Sequence, residues 1–395
     1  MVMQTAKKLL PWLCEVRRDF HMYPELGMEE YRTMDKVCHH LDALNIPYEK
    51  NIANTGVVAI IEGNNPEGKT IALRADMDAL PIREENDVPY YSRHKGKMHA
   101  CGHDAHMTIL LGAACILSSN RDELPGNVKL LFQPAEETVG GAAPMIEEGA
   151  LKDPTVDAVL GLHVAPELPV GTIGVKYGQM NASSDALSLT VHGKGAHAAY
   201  PAGGKDAIVM SAQLLSALQT VVSRNVDARE SAVVTFGTIS GGTQPNIVAD
   251  RVHLQGTMRT LNPKVRADVL ERLQATVENV AKGLGGSAEL AIDPGYTALI
   301  NNDKMVDLVK KAGKDLLGEK NMTITPKPSL GVEDFSFFAA EVPGAFYRLG
   351  VRNESKGIVH GGHTPRFDID ERALAIGAAM QVCNVQGFFQ QKGSF

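Results

Sequence analysis

The near-continuous apolar run Val128-Lys129-Leu130-Leu131-Phe132 constrains this chain more than any other feature, because it leads directly to the carboxylate pair Glu136-Glu137. A strand apolar at consecutive positions has no face to give to water, so it belongs in a sheet covered on both sides. Residues 55–61, 69–75 and 156–162 read the same way. Between them, residues 15–45 read as helical and 140–149 as a short helix. Residues 104–118 read as a helix capped by Asp104, with Met107, Leu110, Leu111, Ala114 and Leu117 on one face. Such alternation predicts an α/β fold: a mostly parallel sheet with helices on both faces. In such sheets, sites form beyond the carboxyl ends of strands. Asp76 and Asp78, Glu136 and Glu137, and His163 all fall there.

The pattern changes near residue 184. Residues 186–191, 232–239, 251–259 and 287–292 read as strands, with helices over 206–223 and after Asn262-Pro263, an Asn cap followed by a first-turn proline. The order β-α-β-β-α-β is the split ferredoxin-like unit. The parallel-sheet pattern then resumes, with helices near 303–317 and 370–388. The expected organisation is a catalytic domain made of 1–183 and 295–395, interrupted by an inserted ferredoxin-like α+β lid or dimerisation domain over 184–294. Turn formers at 181–184 and 294–296 could act as a hinge.

A length of 395 residues suits two domains. The net charge of −7, with basic residues scattered, gives no reason to expect nucleic acid as a partner. No apolar run approaches the roughly 20 residues of a membrane span, so no membrane partner is expected. Leu9-Leu10-Pro11-Trp12-Leu13-Cys14 is too short for a signal-peptide core and reads as the start of an amphipathic helix. Five widely spaced cysteines argue against a disulfide framework and for a reducing cytoplasm.

Adjacent side chains on an extended backbone point opposite ways. One glutamate of the pair can therefore hold a cation while the other takes a proton from an activated water, which is what amide hydrolysis needs. Cys101-Gly102-His103 sets a thiol and an imidazole two residues apart, on one face if the loop is extended. With Glu137, His163 and His363 they make a candidate set of five cation ligands. Thiolate and imidazole suit Zn, Co, Mn or Ni better than Mg or Ca. Five donors exceed the four of a structural zinc site. That points to two ions sharing Cys101, at the roughly 3.5–4 Å spacing common in two-metal hydrolases.

Each of these residues also has a plainer reading. Most Glu-Glu pairs are solvated acidic turns; the buried strand before this one and Gly140-Gly141 after it favour a site. Asp78 either orients a ligand imidazole or caps a turn. His106 reads as a packed or surface histidine and Cys115 as core. His21, His39, His40, His94, His192, His253 and His360 have no company that suggests chemistry. In the insertion, Gly193-Lys194-Gly195-Ala196-His197-Ala198-Ala199 presents one histidine, and Asn246 and Arg259 stand at strand ends. These three could hold a carbonyl oxygen and a carboxylate. The spacing alone serves a plain hairpin-like loop equally well.

Several segments resemble the M20 metallopeptidase family, in its amidohydrolase branch of aminoacylases, hippurate hydrolases and auxin-conjugate hydrolases. They are Arg74-Ala75-Asp76-Met77-Asp78-Ala79-Leu80-Pro81, Met98-His99-Ala100-Cys101-Gly102-His103-Asp104, Gln133-Pro134-Ala135-Glu136-Glu137, Gly161-Leu162-His163, the 193–199 and 244–250 loops, Gly331-Val332-Glu333-Asp334-Phe335 and His363-Thr364-Pro365. They span almost the whole chain in order. The resemblance implies a two-metal centre with Cys101, His103, Glu137, His163 and His363 as ligands and Glu136 as general base. It implies His197, Asn246 and Arg259 as lid residues that meet the substrate, and a homodimer built through the inserted domain. Other branches bridge the metals with a carboxylate, a place Cys101 takes here. They also carry a histidine ligand where this chain has Asp76, so His103 supplies the missing nitrogen and Asp76 stays outside the ligand set.

The activity so implied is hydrolysis of N-acyl amino acids by a cytoplasmic, metal-dependent amidohydrolase. One rival is a dipeptidase or carboxypeptidase on the same centre, since a dipeptide is itself an N-acylated amino acid. A rival from another class is a conjugate-binding protein with a dead metal site, against which Glu136 and the five ligands argue.

Overall fold

The computed structural model describes residues 1–391. Helices α1 (Val2–Met22) and α2 (Tyr31–Ala43) precede strands β1 (Tyr48–Ile52), β2 (Gly56–Ile61) and β3 (Thr70–Asp76). Helix α3 (His103–Ser118), strand β4 (Asn127–Gln133), helix α4 (Ala142–Glu147) and strands β5 (Ala158–Pro169) and β6 (Ile173–Val175) follow. After the short strand β7 (Gly178–Asn181) come β8 (Ser183–His192), β9 (Ala196–His197), α5 (Ala207–Asn225), β10 (Ala232–Gly241), β11 (Ile247–Val248), β12 (Arg251–Thr260), α6 (Pro263–Gly283) and β13 (Ser287–Pro294). The chain ends with β14 (Leu299–Asn301), α7 (Asp303–Leu317), β15 (Met322–Ile324), α8 (Phe335–Glu341), β16 (Gly344–Arg352) and α9 (Arg372–Gln390).

Two compact units result among the described residues: 1–178, 300–327 and 334–391 in the larger, 179–299 and 328–333 in the smaller. Each has its own apolar core. The expected boundaries lay at 183/184 and 294/295. The compact division falls a few residues outside them and adds 328–333 to the smaller unit.

The larger unit is built on an eight-stranded sheet of order β1-β2-β4-β3-β5-β16-β6-β15. The central pairs β4–β3, β3–β5 and β5–β16 are parallel, and antiparallel pairing enters at β1–β2, β2–β4 and β16–β6. Every residue of β3 and β4 is buried. Alternate residues face opposite sides, so both faces of the sheet are covered. Even Lys129 is buried, its ammonium donating to the backbone carbonyls of Ala150 and Lys152. The smaller unit has the antiparallel order β10-β12-β8-β13 with α5 and α6 packed on it, the ferredoxin-like arrangement. Asp206 and Asn262 cap α5 and α6 as their positions predict.

Some expectations give way. The helix expected over 15–45 is two, broken where Pro24 and Gly27 interrupt it. Gly102, with φ +95°, stands at the cap position of α3, and Asp104 lies inside the first turn. Its Oδ2 accepts from Arg17 Nε at 2.8 Å and lies 2.7 Å from His21 Nδ1. His21 also lies 3.1 Å from Glu84 Oε1, so this histidine does have charged company. Helix α3 is buried on every side, and Cys115, expected in the core, is its one partly exposed residue. Strand β5 does not stop at His163 but runs to Pro169, because β16 pairs with it along that length.

Candidate metal centre

The loops that carry the expected ligands turn on left-handed backbone: Gly102 at φ +95°, Ala135 at +57° and His363 at +58°. For Ala135 and His363 that conformation is unfavourable and must be held by neighbours. The Ala135 N–H donates to the buried Glu30 Oε1 at 2.8 Å, and the His363 N–H to Ala100 O at 2.8 Å. Glu136 and Glu137 therefore occupy a turn, not the extended backbone expected from the strand before them. Their division comes from anchoring: the Glu137 N–H donates to Asp78 Oδ2 at 2.9 Å.

The five expected ligands converge within the larger unit. Donor atoms of Cys101, His103 and His163 lie within 4.8 Å of one another, as do those of Cys101, Glu137 and His363. Cys101 belongs to both groups. Glu136, which is 8% exposed, forms a further such group with His103 and Glu137. Cys101 Sγ is 3.2 Å from His163 Nε2, and Glu137 Oε1 is 3.9 Å from His103 Nε2.

The donor set fits cations. His103 Nε2 and Glu137 Oε1 are buried without hydrogen-bond partners, the latter even though His363 Nε2 approaches to 3.0 Å. Two orphaned buried donors of this kind are costly unless a shared positive charge satisfies them. The other ring nitrogens are already engaged: His103 Nδ1 lies 3.2 Å from Asp78 Oδ1, and His163 Nδ1 donates to Val164 O at 2.7 Å. That leaves both Nε2 atoms facing the donor cluster. Asp78 thus orients the His103 imidazole and also anchors the Glu137 turn.

Burial pushes the Cys101 thiol well above its ordinary value, so a thiolate there needs a cation against it. Burial also drives His163 well below its usual value, which keeps it neutral and able to ligate. At Glu137 burial raises the carboxyl, but His363 and His103 outweigh it and hold it below its usual value. At His103 burial opposes the charged ring, while Asp76, Cys101 and Asp78 raise it well above the ordinary imidazole range.

Sequence reasoning missed His106, which is fully buried against Asp76 and His163. Its i, i+3 spacing from His103 on α3 was the available signal. In the smaller unit, β9 pairs with β11, so His197 and Asn246 come together: the Ala198 N–H donates to Asn246 O at 3.0 Å. His197 ends β9 and Asn246 directly precedes β11, both beyond the Arg251 end of β12. Arg259 lies eight residues along that strand, about 27 Å from Arg251 at ~3.4 Å per residue. The structure thus brings His197 and Asn246 together and sets Arg259 toward the other end of the strand.

Gly102 gives a direct test of how tightly the ligands are framed. A Cβ there would sit 2.4 Å from Val164 Cγ2, on a backbone at φ +95°. Gly102→Ala is expected to lose about 1–3 kcal/mol of stability and to bind cations more weakly. Thermal melting and metal analysis check this, and wild-type values for both would show that the turn does not constrain the ligands.

The pattern of peptidase family M20/M25/M40 matches residues 72–385. The N-acetyl-L-cysteine deacetylase of Bacillus subtilis (strain 168) is 43% identical over 362 residues, covering 92% of this chain and 84% of that one. Thermostable carboxypeptidase 2 of Saccharolobus solfataricus is 39% identical over 377 residues, 94% of each chain. The crystal structure of the Bacillus subtilis YXEP protein, described as a dinuclear metal binding peptidase from M20 family, matches with a TM-score of 0.84 at 34% identity, over 96% of this chain and 98% of that one. With its motifs in order, its fold shared and its pattern matched over most of its length, this chain belongs to peptidase family M20/M25/M40.

Proposed function

We propose that this chain hydrolyses the amide bond of N-acyl-L-amino acids, releasing the acyl group as a carboxylic acid and freeing the amino acid. The observation that carries the reading is the pair of donor groups meeting at Cys101, with Glu136 beside the His103–Glu137 edge. Cys101, His103, Glu137, His163 and His363 would hold two divalent cations per subunit, Zn, Mn, Co or Ni by donor chemistry. Cations there would polarise the amide carbonyl and lower the pKa of a water. Glu136 takes the water's proton and returns it to the leaving nitrogen. Asp78 holds His103 in orientation, and Val164 O does the same for His163.

The α-carboxylate of the substrate is assigned to Arg259, a guanidinium whose Nη1 donates to Thr257 Oγ1 and to the Met258 carbonyl. Substrates with an amidated or esterified carboxylate should therefore be poor. Equal kcat/KM for an N-acyl amino acid and its amide removes this role. A dipeptidase or carboxypeptidase activity on the same centre is the second reading, and the resemblance to a protein named carboxypeptidase favours keeping it. Side-by-side assay of N-acetyl, N-benzoyl and dipeptide substrates separates the two.

The inserted domain, assigned to 184–294 between catalytic segments 1–183 and 295–395, is proposed to close over the substrate and to build a homodimer. Strands β10 and β13 are the edges of its sheet, and Val233 and Ile239 on β10 are exposed. The separation of His197 and Asn246 from Arg259 supports supply of these residues from two copies. His197 would then donate to the developing oxyanion in the partner's site. Mixing inactive His197→Ala with inactive Glu136→Gln subunits should restore activity toward half of wild type per mixed dimer, because both lesions fall in one site. Verified mixed dimers that stay inactive refute sharing. All five cysteines are free, which supports the cytoplasm as compartment. No helix among the described residues is long and apolar enough to cross a membrane. The net charge of −7 supports no nucleic-acid partner.

A further inference from the structure

Asp76 and His106 take no part in the chemistry above, yet both are buried against the cation donors. His106 is 1% exposed and Asp76 0%. His106 Nδ1 lies 2.6 Å from Asp76 Oδ1, and its Nε2 accepts the Val164 N–H at 2.9 Å. A backbone N–H can only donate, so Nε2 carries no proton. The ring is therefore fixed as the tautomer protonated on Nδ1, which donates to Asp76. Asp76 is held in turn by Arg74, whose Nη1 lies 2.5 Å from Oδ2 and whose Nη2 reaches Asp334 Oδ1 at 3.0 Å. The donor atoms of Asp76, His103 and His106 lie within 4.8 Å of one another. Even so, both nitrogens of His106 are engaged, and it has no lone pair to give a cation.

The consequence falls on β5. Strands β3 and β5 pair in parallel from Ile71↔Ala158 to Arg74↔Gly161, and there the pairing stops. Both strands continue, β3 to Asp76 beside β4 and β5 to Pro169 beside β16. On the side that β3 leaves, the Val164 N–H goes to a side chain instead of a strand. The Val164 carbonyl accepts from His163 Nδ1, which leaves His163 Nε2 facing Cys101 Sγ at 3.2 Å. The rings of His106 and His163 are also in contact, with centroids 4.6 Å apart.

We infer that His106, oriented by Asp76, is a positioning residue for the cation ligand His163. It acts as a surrogate strand partner, letting β3 and β5 part at the site while fixing the backbone that presents His163 Nε2. This rests on the cation centre proposed above and gives roles to two residues outside its ligand set.

The test is titration of cation-free protein with Zn²⁺ against a chromophoric chelator. A glutamine oxygen reaches about as far as histidine Nε2, whereas an asparagine reaches only as far as Nδ1. His106→Gln should therefore keep an acceptor for Val164, and His106→Asn should not. The wild type should show two binding steps, one weakened in His163→Ala and the other in His363→Ala. His106→Asn should weaken the His163-dependent step by roughly 10–100-fold and leave the His363-dependent step as in wild type. His106→Gln should stay near wild type in both. Nitrogen-15 spectra of the cation-free wild type should show His106 protonated on Nδ1 and bare at Nε2, a result that needs no variant to fold. The inference is overturned if His106→Asn binds as wild type, if it weakens both steps equally, or if Nε2 carries the proton. A wild type that binds no Zn²⁺ overturns the cation centre itself. Wild-type binding together with an unaffected His106→Asn overturns only the positioning role.

Discussion

Glu136→Gln is expected to lower kcat by roughly 10²–10⁴-fold while cation content stays at the wild-type value. Glutamine keeps the size and much of the hydrogen bonding of the side chain but cannot accept a proton from water. Glu136 is 8% exposed and sits beside His103 and Glu137, so bulk water has little access to replace it as base. The neighbouring Glu137→Gln behaves differently. Glu137 Oε1 is buried without a hydrogen-bond partner, and its charge is what a cation between His103 and His363 would require. Its loss should appear as lost cation occupancy, with turnover falling as a consequence. Steady-state kinetics and metal analysis on both variants decide the matter. Near wild-type kcat in Glu136→Gln would falsify its assignment as base.

Cys101→Ala is expected to remove at least one cation and nearly all turnover. Cys101 is the residue common to the two donor groups, so alanine withdraws a ligand from both at once. Burial resists ionisation of this thiol, and a bound cation is the compensation that makes it a thiolate. Cys115→Ala is the control: its side chain lies on α3, partly exposed and outside every donor group among the described residues. It should keep full cation content. Oxidation should act as Cys101→Ala does, since a sulfenic acid no longer offers a thiolate. Full cation stoichiometry in Cys101→Ala would rule out a shared ligand.

Much of this molecule is legible in the chain because its central strands are buried on both faces. Their apolar runs at 70–76 and 127–133 announce the sheet, and the carboxylates and imidazoles that follow announce the site. The insertion is legible because its strands and helices carry ordinary amphipathic periods and two clear caps, Asp206 and Asn262. What the chain hides depends on tertiary partners. The pairing of Asp104 with Arg17 crosses 87 residues of sequence, so a reader sees a capping aspartate where the fold has a buried ion pair. In the sequence, strand β5 reads as ending at His163 because Pro166, Glu167 and Pro169 follow. It continues because β16 pairs with it while β3 has already departed, and a strand paired on one side can accommodate proline. His106 looked like packing because nothing local shows that a strand N–H and a carboxylate wait on either side of its ring.

The most direct measurement is turnover of N-acetyl and N-benzoyl amino acids by chelator-stripped protein, before and after Zn, Mn, Co and Ni are each added back. Stripped protein should be inactive, and at least one cation should restore hydrolysis in the wild type but not in Glu136→Gln. Stripped protein that turns over as fast as the reloaded enzyme, or a reloaded enzyme that cleaves no N-acyl amino acid, would contradict it.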